Sequence, residues 1–291
     1  MTSRSLALSV CLAALVAAPA CRKKPVDLPP VATPTITFSS TRIPLGSPVE
    51  VTYKFQVAQG ATFDDNYTVL VHFLDSDDEL MWTDDHQPPV PTSTWKPGQT
   101  IEYKRTMFAP IYRYVGQASV HIGLYSPKTS KRLPLAGESN GQLEYKSASI
   151  QLLPHSENVF LLFKDGWHPQ ETAQGNSAVE WQWTKKTATL SFRNPKKPSV
   201  FYLHADGAYI EPQTLAVKVN GQQVDTITVT PKQEFIHKTP LTVQQLGPGD
   251  MVELTLEVDK TWVPALLPNG NSKDSRELGI RVFHAFVEPQ S

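Results

Sequence analysis

The chain has little of three things that often reveal a function: cysteine, excess charge of one sign, and long apolar runs. It has two cysteines in 291 residues, and 27 basic residues balance 28 acidic ones to a net charge of −1. This balance argues against a basic nucleic-acid-binding surface, so we expect no nucleic-acid partner. Charged residues make up 19% and hydrophobic residues 40%, a composition typical of globular proteins.

Sequence motifs of catalysis and metal binding are also scarce. There is no H-E-x-x-H zinc motif, no P-loop and no dinucleotide G-x-G-x-x-G motif. The eight histidines are scattered and form no pair at helical spacing. We therefore expect a protein that is not an enzyme and that has no cofactor.

The N-terminus predicts a secretory leader. Residues 1–4 carry one positive charge, and residues 5–18 are almost wholly apolar. This stretch is shorter than the ~20 residues of a membrane-spanning helix, and small residues follow it, as in a signal peptide. We expect residues 1–20 to be removed.

The cleavage site, Ala18-Pro19-Ala20-Cys21, resembles a bacterial lipobox, although Ala18 stands where that motif usually has leucine. The resemblance implies a lipid on Cys21 and thus a membrane partner. Cys11 lies in the leader, so Cys21 has no partner for a disulfide within the chain. Arg22 is not the aspartate that resembles an inner-membrane retention signal, which favours the outer membrane. The alternative is an ordinary signal peptide with an incidental Cys21.

Residues 21–35 predict a stiff spacer after the lipid. The segment holds four prolines, which favour an extended chain. The basic residues 22–24 would lie near anionic headgroups. Proline is frequent elsewhere too, with 25 in the chain, which disfavours a helical bundle.

Alternation of apolar and polar residues predicts an all-β fold with two β-sandwich domains in series. In residues 49–57 the odd-numbered residues are apolar, as in a half-buried antiparallel strand. About seven such segments in residues 36–153 indicate an immunoglobulin-like sandwich, and about eight in residues 154–291 indicate a jelly roll. Asn220-Gly221 predicts a type I′ hairpin.

Short motifs add a family resemblance. Residues 84–89, 94–99, 123–129 and 132–135 resemble a β-sandwich domain found in bacterial lipoproteins and beside membrane glycosyltransferases. Residues 166–171, 181–184 and 276–282 are similar to galactose-binding-like jelly rolls that accompany such transferases. The resemblance implies a surface-glycan context and supplies no catalytic residue.

Four residues of the second domain are candidate ligand contacts: Trp167, Glu171, Trp262 and Arg276. Tryptophan rings stack on the apolar faces of sugars, and the polar residues would bind hydroxyl groups. The alternative is that Trp167, with Glu171, holds its loop against the sandwich. We expect Trp181 and Trp183, which share a strand face, to fill the core.

The remaining candidates lie in the first domain. Asp84, Asp85 and His86 form a weak candidate metal site, and the alternative is a turn whose aspartates accept backbone N–H groups. His72 and His121 alternate with apolar residues and would flank each other if their strands are neighbours. Trp95 precedes a turn, and we expect it to be partly exposed.

The sequence thus favours a non-catalytic, lipid-anchored envelope protein that binds a glycan or an envelope protein through its loops. One alternative is a glycoside hydrolase that uses paired carboxylates. The other is a purely structural subunit of an envelope assembly.

Overall fold

The computed structural model describes residues 28–207, 210–267 and 272–290. Within these ranges the chain is almost entirely β-structure, with one α-helix and three 3₁₀ turns. The strands are β1 (Ala32–Phe38), β2 (Arg42–Pro44), β3 (Pro48–Val57), β4 (Thr68–Leu74), β5 (Leu80–Thr83), β6 (Thr100–Phe108), β7 (Gly116–Tyr125), β8 (Arg132–Leu133), β9 (Tyr145–Leu153), β10 (Leu161–Phe163), β11 (Glu171–Ala173), β12 (Asn176–Trp183), β13 (Thr187–Arg193), β14 (Ser199–Asp206), β15 (Gln213–Val219), β16 (Gln222–Val229), β17 (Glu234–Leu241), β18 (Met251–Val258) and β19 (Arg281–Pro289).

Helical structure is short in the described ranges. The α-helix α1 spans Val243–Leu246, and the 3₁₀ turns span Thr92–Thr94, His155–Glu157 and Pro264–Leu266. None of the helices in this part of the chain is long and apolar enough to cross a membrane. The all-β prediction is confirmed.

The first sandwich packs two sheets around one apolar core. A three-stranded sheet has the order β1-β3-β6, and its partner has the order β2-β9-β7-β4-β5, with β8 on β7. Alternate residues of β3, among them Val51, Tyr53 and Phe55, are buried, as the alternation of the sequence predicts. They share the core with residues of the other sheet, such as Val71 and Ile122.

Strand β1 begins inside the segment assigned to the spacer. Ala32 pairs with Val57 and Pro34 with Phe55. Because β1 lies at the edge of the β1-β3-β6 sheet, its proline is tolerated without a backbone N–H to donate. At its start, Ala32 also bridges Leu135. The ordered sandwich therefore starts earlier than residue 36.

The second sandwich has two five-stranded sheets, with the orders β10-β13-β18-β15-β16 and β11-β12-β19-β14-β17. Its core contains Leu190, Phe192, Phe201, Leu203 and their neighbours. The predicted hairpin is confirmed between β15 and β16, where Asn220 and Gly221 have φ values of 49° and 79°. Positive φ at both central positions is the requirement of a type I′ turn.

Direct contacts join the two sandwiches. The side chain of Asn158 donates to the carbonyl of Leu45 at 2.8 Å. Glu50 of β3 forms an ion pair with Lys238 of β17 at 3.3 Å. Contacts of this kind link the outer face of β14, β17 and β19 to the first sandwich. The predicted leader, Cys21 and the basic residues after it lie outside the described residues, so the anchor remains a prediction.

Candidate functional site

The tryptophans of β12 lie on the outer face of the second sandwich. Trp183 pairs with Arg281 of β19, and Gln182 pairs with Val282. Directly opposed residues share a face of the sheet, and neighbouring residues along a strand face opposite ways. Because Val282 belongs to the core, Trp183 and Arg281 must point away from it.

Arg281 organises this outer surface. Its guanidinium carbon lies 5.1 Å from the ring centre of Trp181, 5.8 Å from that of Trp183 and 5.0 Å from that of Phe283. Cations are attracted to aromatic ring faces, and both carboxylate oxygens of Asp206 accept hydrogen bonds from Arg281. The guanidinium is therefore fixed among the rings.

Trp262 extends the same surface. Its ring meets Trp183 edge to face, with centroids 6.0 Å apart. Its backbone N–H and C=O both bond to Leu278, which fixes the segment that carries it. We define the aromatic–arginine face as Trp181, Trp183, Trp262, Arg281 and Phe283.

Two other predicted residues lie at the margin of the aromatic–arginine face. Glu171 of β11 pairs with Trp181, and its carboxylate accepts a 2.6 Å hydrogen bond from Arg276. Arg276 also binds Asp274, at 2.7 to 3.1 Å. The hydrogen bonds from Arg276 are the main reason why the pKa of Asp274 lies below its ordinary value. The structure thus brings Glu171, Arg276 and Trp262 to one region.

The backbone of Trp167 bridges Thr184, next to Trp183, but its ring does not join the aromatic–arginine face. Its indole N–H donates to the backbone carbonyl of Thr189 at 2.9 Å, and its ring packs edge to face with Phe163. It also contacts the core of the second sandwich. These contacts favour the alternative in which Trp167 holds its loop against the sandwich, although Glu171 takes no part in them.

Three expectations about tryptophans need correction. Trp183 is buried, at 8% exposure, and Trp181 is half-buried, but both pack on the outer face of the second sandwich rather than in its main core. Trp95 is not partly exposed: it is 5% exposed and packs against Phe55 and Phe63 in the first core. Spacing along a strand shows that two residues share a face of the sheet, but it does not show which of the two faces packs against the core.

The residues of the candidate metal site are occupied by protein partners, and Asp84 and His86 also contact each other, with His86 Nδ1 2.7 Å from the Asp84 carbonyl oxygen. Asp84 accepts hydrogen bonds from Tyr53 at 2.9 Å and from Arg105 at 3.1 Å, while Asp85 accepts the Val71 backbone N–H at 2.9 Å. His86 bonds to Tyr103 at 2.8 Å, and burial lowers its pKa. Within the described ranges, no group of three His, Cys, Asp or Glu side chains can hold a metal ion. Asp85 accepts a backbone N–H, as in the alternative, but from Val71 of β4 rather than within a turn.

His72 and His121 do flank each other, because β4 and β7 are neighbours and the two residues are directly opposed. His72 lies between Glu144, at 3.1 Å, and Asp85, at 3.6 Å. The interaction with Asp85 is the main reason why the pKa of His72 is raised. Burial lowers the pKa of His121, which is opposite in direction to the shift at His72.

Comparisons with known proteins add little. No protein-family model matches the chain, and neither does any curated protein. A family 35 carbohydrate binding module from an environmental isolate is similar with a TM-score of 0.27 and 11% identity, over 45% of this chain and 98% of the module.

Two larger structures are similar over most of this chain. One is the secreted serine protease VesC from Vibrio cholerae, with a TM-score of 0.27, 10% identity and coverage of 88% of this chain and 51% of the protease. The other is a beta-glucuronidase from Bacteroides uniformis, with a TM-score of 0.30, 12% identity and coverage of 89% of this chain and 30% of the glucuronidase. The chain thus spans about half of the first and under a third of the second. Similarity this low supports no inference about function.

Proposed function

We propose that this protein is a non-catalytic, lipid-anchored protein of the cell envelope that binds a glycan on the aromatic–arginine face. The observation that carries the proposal is the position of Arg281 among three aromatic rings on the outer face of β12 and β19. The anchor, the outer-membrane location and the periplasmic or surface exposure rest on the sequence around Cys21.

Aromatic rings and charged hydrogen-bonding groups together suit a sugar ligand. A sugar ring presents C–H groups that pack on an aromatic face and hydroxyl groups that both donate and accept hydrogen bonds. Trp181, Trp262 and Phe283 are half-buried, so each presents part of its ring to solvent. Arg276 and Glu171 supply a donor and an acceptor at the margin.

The carboxylates near this face favour binding over hydrolysis. A glycoside hydrolase needs one carboxyl group with a raised pKa to act as the general acid. Asp274 has a lowered pKa, and Glu171 is held by the same arginine. The non-catalytic part of the proposal draws its support from these two contacts.

A glycan array on the full-length protein, purified in a detergent without a sugar headgroup, tests the proposal. We expect retained glycans, and we expect Trp181→Ala to weaken retention by about tenfold. Trp82→Ala is the matched control, since Trp82 is also half-buried but lies in the first sandwich. Equal retention by both variants, or release of cleaved sugar, would contradict the proposal.

A structural role in an envelope assembly is the second candidate, and one observation favours it. Phe160, Leu162 and Phe163 are exposed on and beside β10, the edge strand of its sheet. An exposed apolar sheet edge is a site where another chain can add a strand. A pull-down with Leu162→Lys as the control would detect such a partner.

A further inference from the structure

A polar cavity of about 410 Å³ opens on the outer face of the first sandwich, far along the chain from the aromatic–arginine face. Its lining combines residues from β4, β7, β9 and the loops beside them: Leu74, Asp78, His121, Glu138, Ser139, Asn140 and Lys146. We call this space the His121 cavity. Cavities of this size are in the range of small-molecule sites.

His121 is the unusual member of the lining. It is 8% exposed, and its Nδ1 atom is buried without a hydrogen-bond partner among the described residues. The hydroxyl of Ser119, two residues earlier on β7, is in the same state. Both residues alternate with the core residues Val120 and Ile122, so both face outward. Buried polar atoms without partners are rare in folded proteins and call for an explanation.

The charges around the cavity restrict the ligand. Asp78 and Glu138 contribute two carboxylates, and Lys146 contributes one ammonium group. The nearby Glu144 is already paired with Arg132 and His72. A ligand with an acid group would therefore meet a net negative lining, which disfavours it.

The hydrogen-bonding capacity of the lining suits hydroxyl groups. Carboxylates accept hydrogen bonds, an ammonium group donates them, and the Ser139 hydroxyl can donate one. The Asn140 amide is already bonded to Glu144 and to the Gln142 backbone N–H. Leu74 gives the cavity one apolar wall, against which sugar C–H groups can pack. A metal ion is disfavoured, because the described residues contain no group of three suitable ligands.

Ser139 also lies in Gly137-Glu138-Ser139-Asn140-Gly141, which has the G-x-S-x-G spacing of a serine-hydrolase elbow. The elbow requires a strand-to-helix turn. Here the segment is a loop that leads into β9, and the Ser139 hydroxyl accepts the Gly141 backbone N–H at 3.1 Å. The segment therefore forms a turn within this loop and not a nucleophile elbow.

The geometry points to the His121 cavity as a binding site for a single sugar unit that carries no acid group. This site goes beyond the proposed glycan-binding face, since it lies in the other sandwich and uses polar groups rather than aromatic rings.

Nuclear magnetic resonance of the full-length protein with isotope-labelled histidine tests this site directly. Glucose, N-acetylglucosamine and glucosamine are titrated in a detergent without a sugar headgroup. We expect saturable shifts of the His121 imidazole resonances with at least one of these sugars. The other seven histidines are internal references.

Two comparisons make the test selective. Glucuronic acid differs from glucose by an acid group, and we expect it to bind about tenfold more weakly or not at all. Glu138→Gln should weaken sugar binding by about tenfold. Glu157 is an exposed glutamate outside the cavity, so Glu157→Gln should leave the affinity for the sugar unchanged.

Three outcomes would overturn the proposal: no shift at His121, equal shifts with glycerol at equal concentration, or equal binding of glucuronic acid. Trp181→Ala separates this site from the proposed function. If this variant loses glycan retention on the array but keeps the His121 shift, both sites are supported. If the native protein retains glycans but shows no His121 shift, only the cavity proposal is rejected.

Discussion

The ring of Phe108 in the first sandwich lies parallel to the imidazole of His284 in the second, with the ring centroids 4.5 Å apart. His284 in turn lies beside His204, with their Nδ1 atoms 3.0 Å apart. His284 is exposed as a residue, but Phe108 covers one face of its ring. Burial of the ring, followed by the charge of His204, lowers the pKa of His284 to about 4.

This contact makes stability depend on pH. Between the ordinary histidine value of 6.5 and about 4, the unfolded chain binds a proton at His284 that the folded chain does not. The folded state must therefore lose stability as pH falls through this window. Urea unfolding at pH 7 and pH 5 measures the loss, and His284→Asn should reduce the difference. A pH dependence that is identical in the variant would contradict the argument.

Asp84 should contribute to stability through its two partners rather than through a metal. Asp84→Asn leaves Tyr53 and Arg105 without the carboxylate that they contact, and we expect a loss of about 2 kcal/mol in the free energy of unfolding. Addition of EDTA should leave the melting temperature of the native protein unchanged. A clear drop with EDTA would show that an ion is bound.

Trp167 and Trp262 should respond differently to truncation. Trp167→Ala removes a ring that packs on the core and an indole that binds Thr189, so we expect a loss of about 2 kcal/mol in stability with glycan retention unchanged. Trp262→Ala removes a ring of the aromatic–arginine face, and we expect retention to fall by about tenfold. Melting curves and array retention of both variants are the measurements, and the reverse pattern would contradict the assignment.

Cys21→Ser should release the protein from membranes. This prediction rests on the position of Cys21, which follows an apolar leader and a cleavage site of small residues. Fractionation of cells that express each form measures the effect, with separation of the two membranes for the native form. Membrane retention of the variant would reject a lipid at this position.

Much of the fold could be predicted because most strands are half-buried. The alternation in residues 49–57 and the Asn220-Gly221 turn specify β3 and the β15–β16 hairpin from local sequence alone. Strand β17 cannot be predicted from local sequence, because its sequence EFIHKTPL has no regular alternation and contains a proline. Its place is fixed by pairing with β14 over eight residues, which is a long-range contact.

The candidate site was less predictable, since it depends on the order of strands in the sheets. Glu171, Trp262 and Arg276 were identified as polar or aromatic residues in loops, but Arg281 was not recognised as the residue that orders the face. Its role follows from the pairing of β19 with both β12 and β14, which gives it the rings of one strand and Asp206 of the other. The His121 cavity likewise requires β4, β7 and β9 to be adjacent.

The parallel pairing of β2 with β9 has a mechanical consequence. Arg42, Ile43 and Pro44 lie beside Gln151, Leu152 and Leu153, the last residues of the first sandwich. The start of β2 and the end of β9 lie at opposite ends of this pair, so a pull between β2 and the second sandwich would slide the two strands past each other. Their hydrogen bonds would then be loaded together rather than one after another. The β2–β9 pairing is thus placed to resist shear when β2 and the second sandwich are pulled in opposite directions.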